Sequence, residues 1–102
     1  MSRHNQEVPA IGVLTLELRI GHAQSLKDKR QVVKGLKDRL RNRHNVAVAE
    51  IDYQDLWQSA LIAAVTVSSS RQLAEQVLRA VERDAVHDVG PMLLSATLEW
   101  LD

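Results

Sequence analysis

The sequence predicts an α+β domain of the ferredoxin-like type, a βαββαβ sandwich in which two helices cover one face of a four-stranded antiparallel sheet. The main observation is the order of periodic segments along the chain, which runs strand, helix, strand, strand, helix, strand. The length of 102 residues is a second observation, because it suits one domain with a buried core. We therefore expect a single domain over residues 11–102, preceded by a flexible tail over residues 1–10.

The first strand is predicted over residues 11–20, shortly after Pro9. Apolar side chains recur there at every second position, as at Leu14, Leu16 and Leu18, and this period of two is typical of a strand with one buried face.

The first helix is predicted over residues 25–44, because that segment has a start, an apolar stripe and a stop. Ser25 stands at the N-cap position with Asp28 three residues later, where both can accept hydrogen bonds from free backbone N–H groups. Asn45 can adopt the left-handed conformation that ends a helix. The stripe that faces the core contains Leu26, Val32, Val33, Leu36 and Leu40.

Two further strands are predicted over residues 46–53 and 59–68. The linking residues 54–58 contain no two-residue turn signal, so we expect a longer or bulged hairpin. The later strand of the two is apolar on both faces, which favours a central position in the sheet.

The second helix is predicted over residues 70–86, with Ser69 as its N-cap and with Gly90 and Pro91 beyond its end. The fourth strand is predicted over residues 92–101, where apolar side chains again alternate with polar ones.

The sheet face away from the helices is predicted to be too apolar for full exposure to water. Its apolar residues include Ile11, Val13, Ala47, Ala49 and Ile51. A patch of this kind favours burial against a second copy, so we expect a two-fold homodimer.

Positive charge is concentrated on the first helix. The chain has 13 Lys and Arg against 13 Asp and Glu, yet eight of the basic and two of the acidic residues fall within residues 25–45. That segment carries a net charge of +6 and the remainder −6, so electrostatic steering must come from a local patch. Five of the cations share one exposed helical stripe, here named the basic ridge: Lys27, Arg30, Lys34, Lys37 and Arg41.

The basic ridge is the candidate nucleic-acid-binding site. Neutralising RNA phosphates requires several Lys and Arg along one surface, and contacts to the backbone need no base recognition. The chain has no Phe, two Trp and one Tyr, which argues against a platform for stacking bases. A solvated surface and a binding surface for an acidic protein are the alternatives for this ridge.

A second hypothesis is a homo-oligomeric metal- or anion-binding enzyme or sensor that uses an acidic cluster in the hairpin. Glu50, Asp52 and Asp55 supply the oxygen ligands that Mg²⁺ or Ca²⁺ requires, and we expect Glu50 and Asp52 on the same strand face. No His-x-x-x-His or EF-hand spacing accompanies them, so ordinary surface acids are the alternative.

Two single residues also allow alternative interpretations. Lys29 lies within the apolar arc of the helix, where it either extends its ammonium group outward to water or pairs with an acid near the hairpin and binds an anion. Trp57 either packs over the sheet edge or anchors an interface.

Several classes of protein are disfavoured by what the sequence lacks. It has no Cys, no Gly-x-Ser-x-Gly elbow and no phosphate-binding loop, so we expect a protein that is not an enzyme and that needs no cofactor. Its apolar runs are too short to cross a bilayer, and residues 1–10 lack the apolar segment of a signal peptide. We expect a cytoplasmic protein without membrane contact.

Three strings in this chain are distinctive: GVLTLEL at residues 12–18, SLKDKRQVVKGLKDRLRNRHNVAVAE at residues 25–50 and DYQDLWQ at residues 52–58. They resemble the YlxP-like family of small bacterial domains. The resemblance implies a ferredoxin-like fold and a gene setting often beside translation and ribosome-maturation factors, and it supplies no catalytic residues. Together with the basic ridge, it predicts an RNA- or ribosome-associated accessory protein of translation or ribosome maturation.

Overall fold

The computed structural model describes residues 8–101 and contains the predicted order of helices and strands. All neighbouring strands are antiparallel, and the sheet order is β2-β3-β1-β4, so the ferredoxin-like prediction is confirmed. The tail predicted over residues 1–10 lies mostly outside the described residues, and its last residue, Ala10, is buried and begins β1. The elements are β1 (Ala10–Arg19), α1 (Leu26–Arg43), β2 (Ala47–Asp52), β3 (Ser59–Ser68), α2 (Arg71–Val89), a 3₁₀ turn (Gly90–Met92) and β4 (Leu93–Trp100).

The core lies between the two helices and one face of the sheet. Alternate residues of β1 and β3 are buried on this face, with Leu16 of β1 opposite Ile62 of β3. The helices contribute apolar stripes spaced three and four residues apart, including Leu36 of α1 and Leu78 of α2. Gly12 lies beneath this layer, where an added Cβ would come within 2.7 Å of Leu78 Cδ1. The alternate apolar residues of the strands and the apolar stripes of the two helices therefore form one core.

The predicted start of α1 is confirmed, and the helix ends within one residue of its predicted end, but the predicted left-handed cap at Asn45 is wrong. Ser25 Oγ accepts a hydrogen bond from the Asp28 N–H at 3.1 Å, and Asp28 Oδ2 accepts one from the Gln24 N–H at 3.0 Å. At the other end the chain is extended at His44, and Asn45 does not adopt the left-handed conformation. The chain runs directly into β2 instead, and the Asn45 carbonyl accepts a hydrogen bond from Thr66 Oγ1 of β3.

The second helix begins one residue later and ends three residues later than predicted. Its N-cap is Ser70 rather than Ser69, since Ser70 Oγ accepts a hydrogen bond from the Leu73 N–H at 3.1 Å. β3 keeps the chain extended through Ser68, which pairs with Ala10, so the helical turn starts only after the link at Ser69. The helix continues to Val89, which is buried, and stops at Gly90, whose φ of 54° suits glycine.

The β2–β3 hairpin is bulged, as its sequence predicted. Glu50 lies opposite Ile62 while Asp52 lies opposite Leu61, so β2 contains one extra residue at this point. Adjacent residues of β3 point to opposite faces of the sheet, and Ile62 is the one on the core side. Glu50 and Asp52 consequently face opposite sides, which makes the prediction of a shared strand face wrong.

Candidate nucleic-acid interface

The cations of α1 fall into three groups according to where the helix directs them. One of them, Lys29, points into the protein, and Arg39 and Arg43 face α2. The remaining five form the basic ridge on the outer side of the helix. All three groups consist of Lys or Arg on the same helix. A helical projection of the sequence therefore distinguishes the inward-facing and α2-facing cations from the ridge only in part.

The contact between α1 and α2 contains ion pairs that the sequence analysis did not identify. Arg39 Nε lies 2.8 Å from Asp88 Oδ2, and His44 Nε2 lies 2.6 Å from Asp84 Oδ2. Arg43 lies between the two acids, with Nη1 at 3.9 Å from the Asp84 carboxylate and 3.8 Å from that of Asp88. The sequence signal for these ion pairs is the spacing of Asp84 and Asp88, which places both acids on one side of α2, one helical turn apart. These pairs neutralise Arg39 and Arg43 internally and leave the ridge as the outward-facing charge.

We expect the His44–Asp84 pair to make folding stability depend on pH in the acid range. The hydrogen bond from the His44 ring, aided by the charge of Arg43, holds the pKa of Asp84 below its usual 3.8. A carboxyl whose folded pKa is lowered contributes stability above its unfolded pKa and loses it as pH falls through the folded value. Asp84→Asn should therefore lower the free energy of unfolding by about 1 kcal/mol at pH 6.

That difference should shrink as pH falls below 3.8 and through the lowered pKa of the folded carboxyl, and it should vanish once the wild-type carboxyl is also uncharged. Urea unfolding of both proteins over this pH range measures it, and Asp55→Asn is the control, because Asp55 has no partner among residues 8–101. A constant difference across the range would contradict the assignment.

The basic ridge lines a cleft between α1 and the edge strand β2. The cleft has a volume of about 340 Å³, and Arg30, Lys34, Lys37 and Arg41 lie on its α1 side. Two acids also line it, Asp38 from α1 and Glu50 from β2, with the buried Val33. The fifth ridge residue, Lys27, is exposed one turn before Arg30 and lies outside the cleft lining. The structure thus brings four of the five predicted residues together in one concave surface.

Asp38 is the single acid placed within the ridge. Its Oδ2 lies 2.6 Å from Lys34 Nζ, and its Oδ1 lies 2.5 Å from Arg41 Nη2. The hydrogen bond from Lys34, and then that from Arg41, lowers the pKa of Asp38 below its usual value, so the carboxylate is charged at neutral pH. In the part of the chain from 8 to 101, Lys27, Arg30 and Lys37 form no ion pair. The ridge keeps a net positive charge even with Asp38 in its midst.

Lys29 pairs with an acid of the hairpin, and the alternative in which it extends outward to water is wrong. Its side chain is 1% exposed, its Nζ lies 2.8 Å from Glu50 Oε2, and it donates a hydrogen bond to the Tyr53 carbonyl. Glu50 Oε2 is buried and makes no aligned hydrogen bond to any described residue, so the Lys29 ammonium is the charge that compensates it. Anion binding by Lys29 stays a prediction.

The alternative acidic cluster of Glu50, Asp52 and Asp55 is not assembled into a cation site. Glu50 pairs with Lys29, while Asp52 lies beyond the bulge on the other side of the sheet and accepts a hydrogen bond from the Tyr53 N–H. Between residues 8 and 101, no three carboxylate or imidazole side chains form a group able to hold a metal ion. Trp57 is 54% exposed and lines a surface depression with Arg19 and Leu56, and both of its predicted roles, packing over the sheet edge and anchoring an interface, stay predictions.

Comparison with known proteins places this chain in a family. Residues 11–96 match the family described as protein of unknown function, DUF503. The chain belongs to the DUF503 family. It is also 44% identical over 71 residues to the uncharacterized protein YlxP of Bacillus subtilis (strain 168), a match that covers 70% of this chain and 77% of that protein. The predicted resemblance to YlxP-like proteins is confirmed, and the basic ridge lies within the part of the chain that matches DUF503.

Among solved structures, the DUF503 chain is similar to the solution NMR structure of LFR1 1, a de novo designed protein with ferredoxin fold. The TM-score is 0.46 and the sequence identity 14%, with 89% of this chain and 81% of that chain covered. No helix between residues 8 and 101 has the length and apolar character needed to cross a membrane.

Proposed function

We propose that the protein binds RNA through the basic ridge and acts on a ribosomal particle as an accessory factor of translation or ribosome maturation. The observation that supports this most directly is the cleft beside β2, where four ridge cations face one concave surface. Arg41 lies eleven positions after Arg30, or about 16 Å along an α-helix, which is long enough to follow several phosphates of one strand.

The chemistry of the ridge favours the RNA backbone over bases. Arginine offers paired N–H donors to a phosphate, and lysine adds a mobile positive charge. The packed α1 stripe and the sheet behind it hold the backbone of the ridge rigid, so little backbone conformational freedom is lost on binding. Association is therefore expected to depend on shape and charge rather than on base sequence.

The gene setting that the YlxP-like resemblance implies, beside translation and ribosome-maturation factors, is a second and independent support. This support comes from the position of related genes beside one another and is independent of the geometry of this protein. It is the reason for proposing a ribosomal particle rather than RNA in general.

Binding to a structured fragment of ribosomal RNA, measured by fluorescence anisotropy over a salt series, tests the proposal. Neutralisation of three to four phosphates should give a slope of log K against log salt of about −3. A matched titration with a neutral polymer of similar size is the control. Failure to bind the fragment at low salt would leave the ridge as a solvated surface.

We also propose that the open face of the sheet pairs with a second copy of the chain. Ala49 of β2 lies beside Ala63 of β3, and Ala47 lies beside Val65, which itself lies beside Val13 of β1. Small side chains make this part of the face flat, and a flat apolar surface can match itself across a two-fold axis. Because the face has no ridge cation, it does not compete with the proposed RNA site.

Val67→Asp should weaken this self-association more than tenfold, because the dimer would bury an unpaired carboxylate. Val67 is on the open face and 53% exposed, and Val86 of α2 is 51% exposed, so Val86→Asp is a matched control away from this face. Sedimentation equilibrium at micromolar concentration measures the effect. A wild-type protein with only the mass of a monomer would contradict the proposal.

A further inference from the structure

We infer that the Asp38 carboxylate occupies a phosphate site between Lys34 and Arg41 and competes with RNA for these two cations. This inference rests on the proposed function, and it names one binding position within the cleft and the residue that limits its affinity. The ligand class is a phosphodiester, as the RNA backbone presents it.

The geometry of Asp38 supports this inference. Its two oxygens accept from two different cations, Oδ2 from Lys34 and Oδ1 from Arg41, as two oxygens of one phosphate would. The intervals from Lys34 to Asp38 and from Asp38 to Arg41 are four and three residues, so the three side chains lie on one side of α1. Asp38 thereby holds the two cations toward the cleft. Removal of the carboxylate would leave two directed donors with no acceptor among the described residues.

Asp38 is not required by the fold. It is not among the buried residues of α1, which are Lys29, Val33, Leu36 and Leu40. Lys34 is 76% exposed and Arg41 47%, and exposed pairs of this kind contribute little to stability. Because these pairs are weak, a phosphodiester, which carries the same single negative charge, can displace the carboxylate, although the displaced charge still opposes it from nearby.

The variant Asp38→Asn tests the inference by a gain of affinity rather than a loss. We expect the dissociation constant for the ribosomal RNA fragment to fall about three- to tenfold at low salt, and the salt slope to steepen by about one. Asp55→Asn is the matched control, because it makes the same change of net charge outside the cleft and should alter affinity by less than twofold.

The outcomes separate this inference from the proposed function. If the wild-type protein binds the fragment and Asp38→Asn binds equally or more weakly, the phosphate site at Asp38 is wrong and the proposed function stands. If Asp55→Asn gains as much as Asp38→Asn, the effect is one of net charge and the site is again wrong. If neither the wild type nor Asp38→Asn binds, both the inference and the proposed function fail.

Discussion

Glu50→Gln is expected to lower the free energy of unfolding by about 3 kcal/mol, the typical loss when one partner of a buried ion pair is removed. Lys29 is 1% exposed, and the Glu50 carboxylate 2.8 Å away is its charge partner among the described residues. The glutamine would leave the buried ammonium group without a counter-charge among the described residues, beside neutral acceptors such as the Tyr53 carbonyl. Urea unfolding at pH 7 measures the change.

Two further variants make this prediction specific. Asp52→Asn, two residues along the same strand and exposed, should change stability by less than about 0.5 kcal/mol. The double variant Lys29→Met with Glu50→Gln removes both charges and should recover most of the loss, which a double-mutant cycle would show as a coupling between the two sites. A loss below about 1 kcal/mol for Glu50→Gln would mean that water compensates the pair.

Replacement of Lys34 and Lys37 by glutamate should weaken binding to the ribosomal RNA fragment more than tenfold and reduce the magnitude of the salt slope. Both residues line the cleft, and the change places two carboxylates where the proposal requires phosphates. Lys34 is exposed and Lys37 partly so, which makes a large loss of stability unexpected.

The matched control for this double variant is the replacement of Arg79 and Arg83 by glutamate. These residues are exposed on α2 and line a different surface depression, yet the substitution makes the same change of net charge. If both double variants weaken binding equally, the interaction depends on total charge and not on the ridge. Melting temperatures of all three proteins exclude unfolding as the cause.

The fold could be predicted from the sequence because its signals are local and agree with one another. The period of two in β1 and β3 and the capped stripe of α1 each determine one element, and the order of elements then leaves few topologies. The errors are at boundaries, where local signals compete. Asn45 can adopt a left-handed turn, but the sheet requires the chain to be extended there, and tertiary pairing prevails.

The candidate site could be predicted only in part, because it depends on contacts between distant segments. The helical stripe identified the ridge, but the cleft also needs the edge of β2, which the sequence does not place beside α1. Residues 54–58 predicted a longer or bulged hairpin, but no residue in β2 signals that the bulge lies between Glu50 and Asp52, where it turns these two acids to opposite faces. The pairing of Arg39 with Asp88 likewise spans 49 residues and depends on helix packing.

Co-sedimentation with isolated ribosomal subunits over a salt series tests the central claim most directly. The wild-type protein should pellet with one subunit at low salt and be released progressively as salt rises, while the variant with glutamate at positions 34 and 37 stays in the supernatant. The variant with glutamate at positions 79 and 83 should pellet like the wild type. Wild-type protein that fails to pellet with either subunit at low salt, or a ridge variant that pellets as well as the wild type, would contradict the claim that the basic ridge binds ribosomal RNA.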